Sequence, residues 1–258
     1  THLNDKEDFL ITEKMKPILK AWLSENIEQA TESIEKYEYK SEGLTLSNIY
    51  YHHLALLQSY HNKKKLAEST FEKHLEAFDL DKIRTMFFYD GFLNKPKNYK
   101  ENKFIASFVE KYSNHSFALH LKNKNRLTYK INSPRQGISE TIYNLAQTLY
   151  SQGMFETSLA LAQTSLYLDP NNHIVNYLIS QNLDSLQKKK SAIAYLQKIP
   201  DESYISWNSI LTAAELYVDL ENYSIAENYL NKLGKKYKNK SEVLYKLGEI
   251  NHIQKKYE

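Results

Sequence analysis

A spacing of 34 residues between equivalent small and apolar positions is the feature that most constrains how this chain can fold. Units begin at residues 139, 173, 207 and 241 with no insertion or deletion between them. One small position recurs as Ser158, Ala192 and Ala226, and another as Ala146, Ser180, Ala214 and Gly248. A unit of this length cannot bury its own apolar face, so successive units must stack on one another.

The segment Ser139–Asn172 shows what each unit contains. Two helical apolar patterns flank a turn at Gly153, and Asp169-Pro170 closes the unit. The first pattern forms one stripe from Ile142, Leu145, Ala146 and Leu149, and the second forms another from Leu159, Ala162 and Leu166. Small side chains where the stripes meet let two helices pack closely. The pattern therefore predicts a helix–turn–helix unit.

Composition excludes several other classes of protein. The chain has 258 residues, no cysteine, and only 6 glycines and 5 prolines, which argues against disulfide frameworks, thiolate zinc sites and loop-rich sandwiches. Its 34 Lys and Arg against 31 Asp and Glu give a net charge of +3, too balanced to require a polyanionic partner. No apolar run approaches the roughly 20 residues that span a bilayer, so we expect a soluble protein.

The unit Ser139–Asn172 resembles the tetratricopeptide repeat family at a characteristic set of positions: Leu145-Ala146, Gly153, Phe155, Ser158, Leu168, Asp169 and Pro170. It departs from the family at Ile142, where an aromatic residue is usual, and in the next unit Gln187 replaces the turn glycine. The resemblance implies an all-α protein: an open, right-handed α-solenoid of about six antiparallel helix pairs plus a truncated last pair. The overall pattern is also similar to tetratricopeptide proteins of the alphaproteobacterial cell envelope.

The sequence divides into three parts. Residues 1–116 are interpreted as degenerate helical repeats, 117–138 as a connector and the natural place for a hinge, and 139–258 as the regular array. The last unit stops just after its inner turn, which predicts that the chain is a fragment of a longer protein. We expect a bacterial protein of the cytoplasm or periplasm, with the cell envelope favoured by the resemblance.

Catalytic signatures are not found in the sequence. It contains no H-E-x-x-H, G-x-S-x-G, P-loop or dinucleotide glycine motif. The nine histidines do not converge, and even the neighbours His52 and His53 fall on different helix faces. We therefore expect no enzyme activity, no cofactor and no metal, with the histidines lying at the surface or in a groove.

A protein or peptide is the expected partner. By resemblance to the family, positions 2, 5, 9 and 12 of each unit face a concave groove. The candidate partner-binding residues are Tyr143, Gln147, Tyr150, Tyr177, Gln181, Asn208, Glu215 and Tyr245. Tyrosines give a large contact area with a polar tip, and amides can pair with an extended backbone. The alternative is that Tyr143 and Tyr177 are ordinary packing residues between repeats.

The same positions indicate which peptides fit poorly. Family members that grip a C-terminal carboxylate use Lys and Asn at positions 5 and 9, whereas this chain has Tyr143/Gln147, Tyr177/Gln181 and Leu211/Glu215. No cationic clamp is predicted. A neutral or mildly basic segment is favoured by four acidic positions: Glu140, Glu215, Glu242 and Glu249.

Two alternative functions remain open. The first is a structural or self-associating module of a bacterial envelope assembly, with Leu244, Leu247 and Ile250 as an exposed apolar end that forms homo-oligomers. The second is an RNA-binding helical repeat that uses the lysine runs at 63–65, 188–190 and 235–240. These runs fall in turns, where lysines usually serve solubility, so no nucleic-acid stripe is evident.

Overall fold

The structure, a computed structural model, describes residues 15–24, 26–38, 44–77, 82–94, 98–113, 115–123, 126–236 and 241–254. Within these ranges the chain forms fourteen α-helices and no strand, which confirms the all-α class. In the first half, α1 spans 15–23 and is followed by α2 (Ile27–Glu38), α3 (Leu44–Tyr60), α4 (Lys64–Ala77), α5 (Lys82–Phe92), a 3₁₀ turn (Tyr99–Glu101), α6 (Lys103–Lys111) and α7 (Ser116–Lys122).

The second half contains three regular helix pairs. They are α8 (Pro134–Ser151) with α9 (Phe155–Leu168), α10 (His173–Ser185) with α11 (Lys189–Leu196), and α12 (Ser206–Asp219) with α13 (Tyr223–Lys236); α14 (Ser241–Ile253) follows. The second helix of each pair begins 34 residues after the second helix of the preceding pair, at Phe155, Lys189 and Tyr223. Each pair packs internally and against the next pair, so the array is a stack of repeats.

The inner turn of every regular pair contains a residue in the left-handed conformation. Its φ is 80° at Gly153, 60° at Gln187 and 58° at Glu221. Asn62 and Asn94 hold the same conformation in the first half, at 59° and 61°. Gln187 therefore preserves the turn even though the glycine is missing, at a cost of about 1 kcal/mol for a residue with a Cβ.

Buried serines hold α8 and α9 together where the helices approach most closely. The Ser158 hydroxyl donates to the Ala146 carbonyl at 2.8 Å. The Ser139 and Ser165 hydroxyls each donate to the other residue's carbonyl, both at 2.8 Å. All three serines are fully buried. Small side chains thus permit the approach, and their hydroxyls find partners without water.

The segment between the two halves packs tightly against α5. Arg126 donates two hydrogen bonds to buried Asp90, at 2.9 and 2.7 Å. A Cβ added at Gly91 would lie 2.5 Å from the Tyr129 carbonyl oxygen, so the extended backbone touches α5. The predicted connector 117–138 contains most of α7, this extended stretch and the start of α8 at Pro134. A hinge in this region stays a prediction.

One apolar core runs through both halves. It joins Met15 in α1 to Leu216 in α12, and α3 contacts α8 directly. Trp22 of α1 lies on Gly137 of α8, and its indole N–H donates to His53 Nδ1 of α3 at 3.1 Å. A smaller core of α12, α13 and α14 follows around Trp207 and Leu230. The N-terminal helices therefore cover one side of the repeat array.

Candidate peptide-binding cleft

Five of the eight predicted binding residues line one cleft of about 490 Å³. They come from the first helix of three successive units: Tyr143 and Gln147 from α8, Tyr177 and Gln181 from α10, and Asn208 from α12. The 34-residue period places positions 5 and 9 of one unit beside those of the next. This juxtaposition is why residues far apart in sequence share one surface.

The opposite wall of the cleft comes from the N-terminal helices and was not predicted. It consists of residues from α5, α6 and α7 with the turn before α7: Ile83, Arg84, Phe108, Tyr112, His115, Ser116 and Phe117. The two walls meet where the Ser116 hydroxyl donates to the Asn208 side-chain oxygen at 3.2 Å. Nothing in the local sequence signals this arrangement, because it depends on how α5–α7 fold back onto the array.

Tyrosines form the floor and one side of the cleft. Tyr143 is only 6% exposed, and its ring lies 5.3 Å from the Arg84 guanidinium carbon. Tyr177 is partly buried, its hydroxyl lies 3.3 Å from the Thr212 hydroxyl, and burial raises its pKa. Tyr143 thus fits the packing alternative better than the role of a free contact residue, whereas Tyr177 still reaches the cleft surface.

Three amide side chains line the cleft. Gln147 and Gln181 are partly exposed, and neither side chain has a hydrogen-bond partner among the described residues. Asn208 is exposed, and its side-chain oxygen accepts a hydrogen bond from the Ser116 hydroxyl. A primary amide offers two donors and one acceptor, which matches the alternating groups of a peptide backbone. The cleft therefore combines aromatic surface with two side-chain amides that are available to hydrogen-bond a ligand.

A buried ion pair lies beneath this floor. Arg84 of α5 forms a bidentate pair with Glu140 of α8, with Nε 2.9 Å from Oε1. Arg84 also donates to Tyr204 at 3.2 Å and to Asn172 at 2.9 Å. Burial alone would raise the pKa of Glu140, but Arg84 and the hydrogen bond from His52 hold it below its ordinary value. The two charges cancel, so the floor presents no free cation to a ligand.

Glu140 corrects one sequence-based expectation. It was predicted to be an acidic residue of the groove, but it is fully buried and paired with Arg84. The error arises because position 2 of this unit faces α5 instead of solvent. Glu242 also has a structural partner, since the Trp207 indole N–H donates to it at 3.2 Å.

The other three predicted binding residues lie outside the cleft. Tyr150 packs on Phe155, with ring centroids 5.5 Å apart. Glu215 lines a separate groove between α12 and α14, and Tyr245 is 67% exposed on α14. Their roles in partner binding stay predictions, while the cleft brings together only the positions of the first three units.

The predicted apolar end of the array is only partly exposed. Ile250 is 1% exposed because it packs into the core of α12 and α13, and Leu247 is partly buried against the same core. Leu244 is 63% exposed. The prediction that all three residues form an exposed association surface is therefore wrong for Ile250, because its side chain is buried within the chain.

Four histidines are buried, contrary to the expected surface or groove positions: His52, His53, His74 and His120. Burial, and after it the neighbouring His52, lowers the pKa of His53 to about 3, so this imidazole is neutral. In the part of the chain that the structure describes, no three His, Asp or Glu side chains converge as a metal site. Nor is any helix there long and apolar enough to cross a membrane.

Comparison with known proteins gives structural neighbours only. No protein-family model and no curated protein matches the sequence. The chain is similar to the solved structure of the MamA RS-1 ArsTM double mutant, with 11% identity and a TM-score of 0.37 over 91% of this chain and 96% of that chain. It is also similar to PilF of Pseudomonas aeruginosa, with 18% identity and a TM-score of 0.39 over 93% of this chain and 99% of that chain. A third similar structure is the TPR2AB-domain:pHSP90 complex of yeast Sti1, with 11% identity and a TM-score of 0.40 over 94% of this chain and 97% of that chain.

Because these TM-scores are below 0.5, the assignment rests on the chain's own geometry. Three helix pairs repeat every 34 residues, the equivalent small residues of each pair are buried, and a left-handed residue occupies each inner turn. These features are those of the tetratricopeptide helix pair. The repeat array is therefore an α-solenoid of antiparallel helix pairs that resembles the tetratricopeptide repeat.

Proposed function

We propose that the chain is a non-enzymatic interaction scaffold that binds an extended segment of a protein partner in the cleft between α5–α7 and α8, α10 and α12. The observation that carries the proposal is the pair of amides Gln147 and Gln181, which lie between aromatic walls and have no hydrogen-bond partner in the described part of the chain. An extended segment in water has free backbone N–H and C=O groups, and these amides can pair with them.

The lining also indicates the chemistry of the bound segment. Tyr112, Tyr177 and Ile174 offer apolar and aromatic contact area, so a side chain of that kind fits between the walls. Arg84 is neutralised by Glu140, and burial lowers the pKa of His115 at the rim, so that imidazole stays neutral. A neutral or mildly basic segment is therefore a better ligand than a C-terminal carboxylate. The self-associating and RNA-binding alternatives and the envelope setting stay predictions.

Site-specific photo-crosslinking in the source cell tests this proposal. A photoreactive amino acid at Gln181 lies inside the cleft, whereas the same group at exposed Gln163 lies on α9, outside the cleft. We expect a discrete adduct from position 181 that position 163 does not give. Mass spectrometry of the adduct then identifies the bound segment, which can be synthesised for direct measurements.

Two outcomes would count against the proposal. One is the same set of adducts from positions 163 and 181, which would indicate random encounter. The other is a discrete adduct from position 163 alone, which would move the interaction to the second helices of the array. Circular dichroism of both variants controls for folding, since neither position is fully buried.

A further inference from the structure

A second groove of about 470 Å³ lies between α12 and α14, separate from the cleft. Its floor is apolar and is made by Ala214, Val218, Leu230, Ile250 and Ile253. Its rim is charged and consists of Glu215, Asp219, Lys246, Glu249 and His252. A groove with an apolar floor and an acidic rim matches an apolar side chain that is flanked by cations.

The acidic rim is only partly neutralised within the chain. The Lys246 ammonium lies 3.1 Å from a Glu215 oxygen and 3.2 Å from a Glu249 oxygen, so two carboxylates share one cation. Asp219 pairs with Lys189 of the preceding unit. Among the described residues, the carboxylates of Glu215 and Glu249 therefore leave one negative charge unmatched, so a further cation at the rim would be attracted.

A surface with cations beside an exposed apolar side chain, which complements this groove, lies at the start of α4. Lys63, Lys64 and Lys65 are exposed, and Leu66 beside them is 57% exposed. Cations are disfavoured at a helix N-terminus because the macrodipole is positive there, and the first turn of α4 contains no acidic residue. None of the three lysines forms an ion pair with a described residue.

The chain itself shows how such a lysine run can be accommodated. Lys188–Lys190 occupies the equivalent place at the start of α11, and there Lys189 pairs with Asp219 on the first helix of the following unit. A carboxylate on a first helix is thus the partner that this kind of lysine takes. Lys63–Lys65 has the same position in its helix pair without that partner in the described residues.

We propose that Lys64, Lys65 and Leu66 of one copy of the chain dock in the α12–α14 groove of a second copy. Leu66 would contact the apolar floor, and the lysines would pair with Glu215 and Glu249. The two surfaces differ, so the contact is head-to-tail and gives rings or linear chains. Ion pairs at an exposed rim are screened by salt, so association should rise with protein concentration and fall with ionic strength.

Light scattering on the full chain, coupled to size exclusion, tests this proposal. The wild-type protein should exceed the monomer mass at high concentration and low salt, and return to it as salt is added. One variant, Lys64→Glu/Lys65→Glu, reverses the basic surface, and another, Glu215→Lys/Glu249→Lys, reverses the groove. Each should remain monomeric alone. Glu101→Lys/Glu110→Lys changes charge equally at exposed sites on the 3₁₀ turn and α6, and should associate like the wild type.

Mixing the two reversed variants is the decisive step. In the mixture, each acidic α4 surface meets a basic groove and each basic α4 surface meets an acidic groove, so association should return. Circular dichroism shows whether each variant is folded before mixing. The proposal is overturned if the wild type is monomeric at every concentration, if either reversal leaves association unchanged, or if the mixture stays monomeric. Binding of a foreign basic peptide in the groove of a chain that stays monomeric also overturns it.

Discussion

At the scale of single residues, the inner turns show a conflict between residue type and backbone. Gln187 and Glu221 hold φ near +60°, where a Cβ is strained and glycine is not. The stacking of helices on both sides imposes this conformation, because the second helix must begin immediately afterwards. The turns therefore store strain that a glycine would remove.

Gln187→Gly should raise the free energy of unfolding by about 0.5–1 kcal/mol, since relief of strain exceeds the added freedom of the unfolded chain. Urea denaturation followed by circular dichroism measures the change. Lys188→Gly is the matched control: the neighbouring residue has φ of −98°, so glycine there should lower stability. Equal effects of the two changes would contradict the conformational argument.

His53 gives a second prediction, about pH. Its pKa is lowered to about 3 in the folded chain by burial and then by His52, whereas an unfolded histidine titrates near 6.5. Between these values the unfolded state binds more protons, so the free energy of unfolding decreases as pH falls below 6.5. Well below 6.5 the slope approaches about 1.4 kcal/mol per pH unit for one group.

Urea denaturation from pH 7 to pH 5 tests this prediction, because carboxylates contribute little in that range. His53→Gln removes the titrating group and keeps a polar partner for the Trp22 indole, so the loss of stability with acid should be shallower in the variant. His115 and His173, whose pKa values burial also lowers, contribute to the slope of both proteins. Parallel curves for wild type and variant would rule out His53 as the source.

At the scale of helices, two glycines that both lie within α-helices have different surroundings and opposite roles. A Cβ at Gly137 of α8 would lie 2.1–2.4 Å from Trp22 indole atoms, and Trp22 is buried and hydrogen-bonded to His53. At Gly248 of α14 no atom lies within 4 Å of an added Cβ. Gly137 therefore allows α1 to touch α8, whereas Gly248 has no such contact in the described residues.

Alanine at these two positions should change stability in opposite directions. Gly137→Ala should cost about 1–3 kcal/mol through overpacking, despite the better helix propensity of alanine. Gly248→Ala should gain about 0.5–1 kcal/mol from propensity alone. Thermal unfolding of both variants measures the difference. Stabilisation by Gly137→Ala would show that α1 does not lie on α8 as described.

The helix pairs of the array could be predicted from sequence because their determinants are local. Gly153, the small residues and the apolar stripes lie within one unit and repeat at a constant spacing. The conformation of Gln187 could not be read from its residue type, because neighbouring helices impose it. The buried positions of Glu140 and His53 were missed for a related reason: their partners, Arg84 and Trp22, lie in distant helices.

At the scale of the whole molecule, buried polar contacts join the N-terminal helices to the repeat array. Arg84 and Glu140 are 56 residues apart in sequence and form a bidentate pair, and Asp90 anchors Arg126 nearby. Breaking a buried pair by removing one partner costs several kcal/mol. The Arg84–Glu140 pair therefore fixes α5 against α8, and the Asp90–Arg126 pair fixes α5 against the extended stretch before α8. The cleft therefore has two walls held by the same core, whereas the sequence alone indicated a single open face.

The measurement that most directly tests the proposed cleft is the dissociation constant of the segment identified by crosslinking. Calorimetry should show at least about tenfold weaker binding to Gln147→Ala/Gln181→Ala, since each lost hydrogen bond is worth about 1 kcal/mol. The surface control Gln163→Ala should bind like the wild type. An unchanged dissociation constant for the folded double variant would contradict a binding role for the two amides and, with it, the proposed cleft.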